Sequence, residues 1–127
     1  MPNELNFPHG PCHGDFTLDN IILNKKAALY LIDFNHTYFE SPLQDFVKLK
    51  QDLTYSWTSR KYHPSLALRQ KIFSQSFKLL NTNKIINKYK MQIKILDLIS
   101  LYRIAPYTKD LVTKNWLIQN IDFALKN

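Results

Sequence analysis

The pattern of the sequence changes once, near residue 41, and this change limits the possible folds more than any other feature. Before it, short runs of β-forming residues occupy positions 11–13, 20–23 and 28–34, and residues 24–27 fit a hairpin turn between the last two runs. After it, apolar residues recur with helical spacing to the end of the chain. We therefore expect an α+β fold that is mostly α, with a small β-hairpin ahead of about four helices.

The length of 127 residues fits one domain over positions 1–127. Within it, we expect residues 9–40 to form the loop and hairpin and residues 41–127 to form the helical part.

The helical part begins with strong start signals: Ser41 as N-cap, Pro42 in the first helical position and Gln44 closing a capping box. The apolar positions expected to face inward are Leu43, Phe46, Val47, Leu53 and Trp57 on the first helix; Leu66, Phe73, Phe77 and Leu80 on a second that starts near Pro64; Ile85, Tyr89, Ile93, Leu96 and Ile99 on a third from about Lys84 to Arg103; and Leu111, Val112, Ile118, Ile121 and Leu125 on a fourth after Thr108.

Composition and the chain ends indicate a cytoplasmic protein without a membrane segment. The longest uninterrupted apolar run, residues 27–32, is far shorter than the roughly 20 residues that a membrane-spanning helix needs. The first residues have neither the basic start nor the apolar stretch of a secretory signal. The single cysteine, Cys12, excludes an internal disulfide and a cysteine-based structural zinc site.

The charge balance is basic, with 17 Lys and Arg against 10 Asp and Glu, for a net charge of +7. Such a charge favours phosphate-bearing partners, nucleic acid among them. The basic residues are, however, spread from Lys25 to Lys126, and this spacing favours a solvated surface over a dedicated nucleic-acid interface. A basic nucleic-acid-binding protein therefore stays open only as a less favoured alternative.

The residues with the clearest chemical pattern lie before the helices. Asp15 follows the turn at Gly14, Asn20 stands where a strand begins, and Asp33 ends the returning strand of the hairpin. Because a hairpin brings the start of one strand beside the end of the next, we expect Asn20 and Asp33 to lie close together. Two oxygen ligands on one rim suit Mg²⁺, which completes its shell with water and phosphate oxygens, and an adjoining carboxylate suits a base that orients a hydroxyl.

The same stretch resembles a known family. The sequence H-G-D-x-x-x-x-N at residues 13–20, followed by I-D-F at 32–34, is similar to the catalytic core of the aminoglycoside phosphotransferase and choline kinase superfamily, small-molecule relatives of protein kinases. The sequence P-x-x-D at 42–45 resembles a further motif of this family. The longer forms C-H-G-D-x-T-x-x-N at 12–20 and E-S-P-L-x-D-x-V-K at 40–48 also resemble phosphotransferase-like proteins encoded near bacterial capsule and surface-polysaccharide genes.

The resemblance implies a role for each matching residue. Asp15 would accept or orient the acceptor hydroxyl as it attacks the γ-phosphate of ATP, and His13 would fix the catalytic loop by hydrogen bonding. Asn20 and Asp33 would hold Mg²⁺ against the nucleotide phosphates, and Asp45 would brace the loop from the first helix. The implied acceptor is a small molecule with a hydroxyl group, such as an aminoglycoside, a choline-like amine or a sugar.

The resemblance also implies that the chain corresponds to a protein-kinase-like C-terminal lobe alone. Only twelve residues precede His13, whereas the family's N-terminal lobe carries a nucleotide-binding loop and a phosphate-binding lysine. We therefore expect a shortened phosphotransferase or one part of a split enzyme, with a separate N-terminal lobe chain as a possible partner. A non-catalytic binding or scaffold module derived from such a lobe is the alternative.

Single residues of the motif have ordinary structural explanations as well. Asp15 fits a turn, Asn20 fits a strand-start cap, and Asp45 in the first helical turn complements the helix dipole. Asp33 is the hardest to explain in this way, because a charge at the end of an apolar strand is costly without a cation or donor. Some aromatic residues among Tyr55, Trp57, Tyr62 and Phe73 are candidates for the acceptor pocket, although most fit core spacing.

Overall fold

The computed structural model describes residues 4–37, 39–61, 71, 75, 78 and 82–127. Within these residues the chain forms a two-stranded antiparallel sheet and four α-helices with defined ends. The strands are β1 (Ile21–Leu23) and β2 (Leu29–Leu31), and the helices are α1 (Pro42–Leu53), α2 (Lys84–Lys88), α3 (Lys90–Tyr102) and α4 (Leu111–Lys126). The described chain is therefore mostly helical with a small sheet, as the sequence pattern predicts.

The hairpin forms because Asn24 organises its turn. The side-chain oxygen of Asn24 accepts hydrogen bonds from the N–H groups of Lys26 and Ala28, both at 2.9 Å. Such an Asx turn supplies locally the bonds that a regular strand would supply, and Ala27 takes a left-handed φ of 58° to complete it. The register pairs Ile21 with Leu31, so the predicted hairpin is confirmed.

The strand predicted at residues 11–13 is wrong. The backbone N–H groups of His13 and Gly14 donate to the carboxylate of Asp45 at 2.6 and 2.9 Å, and these residues have no strand conformation. Because these donors are already taken by a side chain, the segment has no N–H groups left there for a sheet ladder. It forms a loop that lies against the start of α1 instead.

Helix α1 begins where the sequence predicts. The hydroxyl of Ser41 accepts from the N–H of Leu43, and Pro42 occupies the first helical position. The predicted capping box is wrong, because the side-chain amide of Gln44 donates to the carbonyl of Phe39 at 2.6 Å rather than turning back to Ser41.

Helix α1 ends at Leu53, before the last residue of the apolar stripe predicted for it. Leu43, Val47 and Leu53 are buried as predicted, but Trp57 lies beyond the C-terminal end of α1. The backbone reverses at Ser56, which has a φ of 64°, so Trp57 packs from a turn and not from the helix.

The third predicted helix is divided in two. Helix α2 starts at the N-cap Asn83, whose side chain accepts from the N–H of Ile85 at 2.9 Å, and the backbone leaves helical geometry at Tyr89. Ile93 is buried as predicted, whereas Ile85 and Ile99 are 63% and 49% exposed, contrary to prediction. Because the backbone leaves helical geometry at Tyr89, one continuous helical stripe cannot describe both pieces.

The predicted inner face of the last helix is wrong. The face of α4 that is buried consists of Thr113, Trp116, Leu117 and Ala124. The indole N–H of Trp116 donates to the carbonyl of Tyr55, and this bond fixes the rotation of the helix about its axis. The predicted inward residues Leu111, Val112, Ile118 and Leu125 are exposed, and only Ile121 packs partly against the core.

Helix α3 lies at the centre of the described core and packs against both α1 and α4. The buried carboxylate of Asp97 on this helix accepts two hydrogen bonds, one from the buried Tyr55 hydroxyl and one from the partly buried Lys50 ammonium. Burial, and then the neighbouring Asp97 carboxylate, raise the pKa of the Tyr55 phenol well above its ordinary range. Two apolar groups of residues surround these contacts: Leu43, Val47, Ile93 and Leu96 in one, and Tyr55, Leu101, Ile104, Trp116, Leu117 and Ala124 in the other.

The second predicted helix, with Leu66, Phe73, Phe77 and Leu80 as its apolar stripe, lies at positions outside the described residues. Among the helices that are described, none is both long and apolar enough to cross a lipid bilayer.

Candidate active site

The loop of residues 12–15 is held by a single carboxylate of α1. Asp45, in the first turn of that helix, accepts from the N–H of His13 with one oxygen and from the N–H of Gly14 with the other. Charge-assisted hydrogen bonds of this kind are about twice as strong as neutral ones. The geometry therefore assigns Asp45 a bracing contact in addition to its favourable position in the first turn of the helix.

His13 forms hydrogen bonds to the backbone before and after Asp33. Its Nε2 donates to the carbonyl of Ile32 at 2.7 Å, and its own carbonyl accepts from the N–H of Asn35 at 2.9 Å. His13 is 4% exposed, and its ring lies 4.3 Å from the ring of Phe34, centroid to centroid. Because both bonds span Asp33, the position of Asp33 depends on His13.

Gly14 allows the two segments to approach this closely. A Cβ added there would lie 2.0 Å from the carbonyl oxygen of Asn35, and the residue has a φ of 84°. Only glycine meets both the steric and the conformational requirement at this position. The crossing of residues 13–15 over 33–35 is therefore built into the sequence.

Asn20 is brought into direct contact with Asp15. It is 8% exposed, and its Nδ2 donates to the backbone carbonyl of Asp15 at 2.8 Å and to the Asp15 carboxylate at 3.3 Å. Its backbone carbonyl accepts from the N–H of Ile32 at 3.1 Å, immediately before Asp33. The three predicted residues thus lie on backbone segments that hydrogen-bond to one another.

Asp33 lies differently from what the strand pattern suggested. It is exposed, beyond the end of β2, and has a left-handed φ of 57°. The prediction that Asp33 ends the strand is therefore wrong, and its exposed charge does not carry the cost that was expected without a cation or donor. Within the part of the chain that the structure describes, its carboxylate makes no hydrogen bond or ion pair. The left-handed conformation is uncommon for non-glycine residues, although aspartate adopts it more readily than most.

Two further residues of α1 contact the site and were missed by the sequence analysis. The ammonium of Lys48 lies 3.1 Å from the carboxylate of Asp15. Asp52 is fully buried and accepts from the N–H of Leu18 at 2.6 Å and from the hydroxyl of Thr58 at 2.6 Å. The spacing of positions 45, 48 and 52 places these side chains on one face of a helix, and this periodicity is the signal that could have identified them.

The donors present fit a magnesium ion. The Nδ2 of Asn20 donates to Asp15, so the Oδ1 of the same side chain is the atom left for a cation. Asp33 offers a carboxylate one residue after Ile32, whose N–H is bonded to the backbone carbonyl of Asn20. Oxygen donors in small number are what Mg²⁺ takes from a protein when phosphates and waters supply the rest. Among the described residues, no group of three or more His, Cys, Asp or Glu side chains could hold a metal ion.

Comparison with known proteins identifies a family for this chain. The model of the phosphotransferase enzyme family (APH) matches residues 1–72, a segment that contains every candidate site residue named above. No curated protein and no solved structure matches the chain. Because the matched segment covers more than half of the sequence, the resemblance to the aminoglycoside phosphotransferase and choline kinase superfamily is confirmed, and the chain belongs to the phosphotransferase enzyme family.

Proposed function

We propose that this chain is the acceptor-side lobe of an ATP-dependent phosphotransferase that transfers the γ-phosphate to a hydroxyl group of a small molecule. The observation that carries the proposal is the contact between Asn20 and Asp15, with Asp33 held beside them through His13. Phosphoryl transfer depends mainly on positioning and on charge stabilisation, and rigid placement of these residues is what it requires.

Asp15 is the catalytic base in this proposal. The acceptor hydroxyl oxygen forms a bond to the γ-phosphorus, the bond from that phosphorus to the β,γ-bridging oxygen breaks, and ADP leaves. The hydroxyl proton passes to the Asp15 carboxylate, whose two oxygens are oriented by Lys48 and Asn20. A carboxylate has lone pairs beyond those two contacts, so the acceptor hydroxyl can still bond to it.

Asn20 and Asp33 would hold Mg²⁺, which when bound neutralises the charge of the nucleotide phosphates. His13 is a positioning residue here, because it acts by fixing the backbone on both sides of Asp33. A reaction that consumes ATP and requires Mg²⁺ also favours a cytoplasmic location for the protein.

An upper lobe, on a separate chain or on further residues of the same polypeptide, would complete the nucleotide site. The support for this part is the apolar surface of the hairpin: Leu23, Leu29 and Phe34 are 68%, 60% and 68% exposed. Clusters of exposed apolar side chains mark interaction surfaces. Leu23 and Leu29 pair beside the turn of the hairpin, and Phe34 directly follows Asp33, where the phosphates of the nucleotide would be.

The experiment that tests the proposal measures binding of ATP in the presence and absence of Mg²⁺, by titration calorimetry. We expect Mg²⁺-dependent binding that weakens by at least roughly tenfold in Asp33→Ala, because the variant loses a direct cation ligand. Asp19→Ala is the matched control, since Asp19 is an exposed carboxylate on the turn before β1, and its binding should stay within about twofold of the original. Unchanged binding in Asp33→Ala would contradict the proposal.

Turnover is tested separately, with an upper lobe from a family member supplied in trans. We expect the release of ADP to require Asp15 and to disappear in Asp15→Asn, which keeps the size of the side chain but cannot accept the proton. Absence of turnover with every upper lobe and acceptor tried would favour the non-catalytic binding module instead.

A further inference from the structure

Hydrogen bonds at the two ends of the hairpin determine which backbone groups of β2 point outward. The N–H of Ile32 donates to the carbonyl of Asn20 at 3.1 Å, and the N–H of Asn24 donates to the carbonyl of Ala28 at 3.0 Å. Hydrogen-bonded and non-hydrogen-bonded pairs alternate along an antiparallel ladder. Every second residue from Ala28 to Ile32 therefore bonds to β1, and the residues between them direct their N–H and carbonyl groups away from it.

The outward residues of β2 are Leu29 and Leu31, and the edge that they form is unpaired. Their cross-strand partners are Leu23 and Ile21, in the non-hydrogen-bonded pairs of the register. Among the described residues, no third strand joins the sheet, and no hydrogen bond from outside the hairpin reaches Leu29 or Leu31. Both side chains are exposed, at 60% and 37%. An open apolar edge of this kind is a template for pairing with another strand.

The opposite edge of the hairpin is partly closed by the chain itself. The N–H of Ile21, which points away from β2, donates to the carbonyl of Leu18 in the turn before β1. This bond uses the first outward donor of β1, so an added strand could not bond along the whole of that edge. The edge of β2 is therefore the more open of the two.

Strand β2 is complementary to a second copy of itself. When two copies run antiparallel with Tyr30 opposite Tyr30, Leu29 of each copy lies opposite Leu31 of the other, and each such pair exchanges both backbone hydrogen bonds. A shift of two residues would instead place Leu29 or Leu31 opposite Asp33 or Ala27, which lie outside the strand and have left-handed φ values. The register centred on Tyr30 therefore forms the most hydrogen bonds.

The charges at the two ends of β2 are opposite. Lys25 and Lys26 lie in the turn before the strand, and Asp33 lies just after it. All three are exposed, and within the described residues none of their charged groups forms an ion pair. In the antiparallel arrangement the lysines of each copy lie near the aspartate of the other, whereas a parallel arrangement would bring like charges together. Charge complementarity therefore favours the antiparallel pair.

We propose that the chain self-associates through β2, with two copies joined antiparallel about Tyr30 and related by a twofold axis. Because the paired strand is short, the association is reversible and not permanent. The pairing uses the backbone edge of β2, whereas the upper lobe proposed above covers apolar side chains of the hairpin. The inference therefore goes beyond the proposed function and does not depend on it.

Sedimentation equilibrium of the full chain tests the association. Mg²⁺ and nucleotide are left out, because a cation at Asp33 would compete with the lysines. We expect a monomer–dimer equilibrium with a dissociation constant between about 1 μM and 1 mM, as for a weak complex.

Proline variants test which edge is used. Leu31→Pro should weaken the dimer roughly tenfold or more, because proline removes an outward N–H of β2 but no hydrogen bond within the hairpin. Leu23→Pro is the matched control: it removes an outward N–H from β1, and the dissociation constant should stay within about threefold of the original. Circular dichroism verifies that both variants keep their helices.

A disulfide tests the register. Tyr30→Cys is combined with Cys12→Ala, so that position 30 carries the single thiol of the chain. Residues in a non-hydrogen-bonded antiparallel pair have Cα atoms about 4.5 Å apart, which a disulfide can span, so oxidation should give a covalent dimer. Asp122→Cys in the same background, at an exposed position on α4, should stay mainly monomeric.

Charge reversal tests the contacts at the strand ends. Lys25→Glu with Lys26→Glu brings carboxylates near Asp33 of the other copy and should weaken the dimer roughly threefold or more. Lys109→Glu with Lys114→Glu changes the net charge equally at exposed positions away from β2 and should not weaken it.

Several results would overturn the inference. A chain that stays monomeric at about 1 mM, equal losses in the two proline variants, or equal cross-linking from positions 30 and 122 would each contradict it. Equal effects of the two lysine pairs would contradict the antiparallel arrangement. Nucleotide binding without self-association would reject this inference alone, whereas self-association without Mg²⁺-dependent nucleotide binding would reject the proposed function alone.

Discussion

The loop-and-hairpin region, residues 9–37, and the helical region, residues 82–127, are stabilised in different ways. In the first, the buried residues are all polar: His13, Thr17 and Asn20. In the second, buried leucine, isoleucine, tryptophan and alanine side chains form the core around α3. The site is therefore held by directed hydrogen bonds, and the helices are held by packing.

Helix α1 joins the two regions because its faces differ. Leu43 and Val47 pack against α3, whereas Asp45, Lys48 and Asp52 face the loop. The N–H groups of the loop bond to carboxylates of α1, so the loop cannot form these bonds unless α1 is folded. The packing of α1 on α3, by contrast, uses no residue of the hairpin strands. We infer that loss of the helical core removes the site, whereas loss of the site leaves the helices folded.

The largest effect is expected for Leu101→Ala. Leu101 is fully buried in the helical region, and a cavity at such a position costs about 3–5 kcal/mol of unfolding free energy. Urea denaturation followed by circular dichroism measures this loss, and nucleotide binding should disappear over the same urea range. Leu111→Ala, at a residue 71% exposed, is the control and should change the free energy by less than about 0.5 kcal/mol. Nucleotide binding that persists after the helices unfold would contradict the dependence of the site on the core.

The next effect is expected for Gly14→Ala. The added methyl group meets the Asn35 carbonyl oxygen and the backbone is left-handed, so we expect a local cost of about 2–4 kcal/mol at the loop. Nucleotide binding should be lost while helical circular dichroism is retained. Gly10→Ala is the matched control, because a Cβ there would lie 3.6 Å from Pro42, an ordinary contact. Cooperative loss of the helices in Gly14→Ala would show that the two regions are not separable.

A smaller effect is expected for Asp52→Asn. The amide leaves one of the donors from Leu18 or Thr58 facing an NH₂ group, at a cost of about 1–3 kcal/mol because the position is fully buried. Hydrogen exchange of the Leu18 and Thr58 amides should become faster, whereas exchange within α3 should not change. The control is Asp122→Asn, an exposed change on α4, which should leave both amides protected. Faster exchange throughout α3 would contradict a local role.

The sequence predicts best the elements that local chemistry determines. Asn24 carries its own turn, and Ser41 with Pro42 marks the start of α1, so both elements lie where their residues place them. The inner face of α4 could not be predicted, because apolar residues surround that helix and its rotation is set by a bond from Trp116 to Tyr55, far away in the chain. Periodicity alone contains no information about that contact.

The same distinction applies to the candidate site, where some features follow from local sequence and others from tertiary contacts. The spacing from Asp15 to Asn20 predicts two residues that the structure brings into contact, whereas the exposure of Asp33 depends on the chain leaving β2 early. The contact of Lys48 with Asp15 could be predicted only by knowing that one face of α1 lies against the loop. The side-chain Oε1 of Gln51 is buried and has no hydrogen-bond partner within the described residues, and this property depends on every neighbouring side chain and has no signal in the sequence.

The smallest expected effect tests whether burial or charge explains how much the Asp52 and Asp110 carboxylates stabilise the fold. Asp110 caps α4 as Asp52 caps the loop, but it is solvent-exposed and bonds to Lys61 and to the N–H of Thr113. The hydrogen bond from Lys61, and then those from Thr113, lower the pKa of Asp110 well below its ordinary range. A carboxyl whose pKa is lower in the folded state stabilises the fold above its unfolded pKa, near 4, and this stability is lost as the pH falls below that value.

We therefore expect Asp110→Asn to lower the unfolding free energy at pH 7 by less than Asp52→Asn does, because asparagine is also a good N-cap and only the contribution of the charge is lost. Between pH 5 and pH 2, the variant should lose less unfolding free energy than the original chain does. Urea denaturation at several pH values measures the difference, with Asp122→Asn as the exposed control. A loss at pH 7 as large as that of Asp52→Asn would mean that an exposed cap stabilises as much as a buried one, and the distinction between a hydrogen-bonded site and a packed core would then not rest on burial.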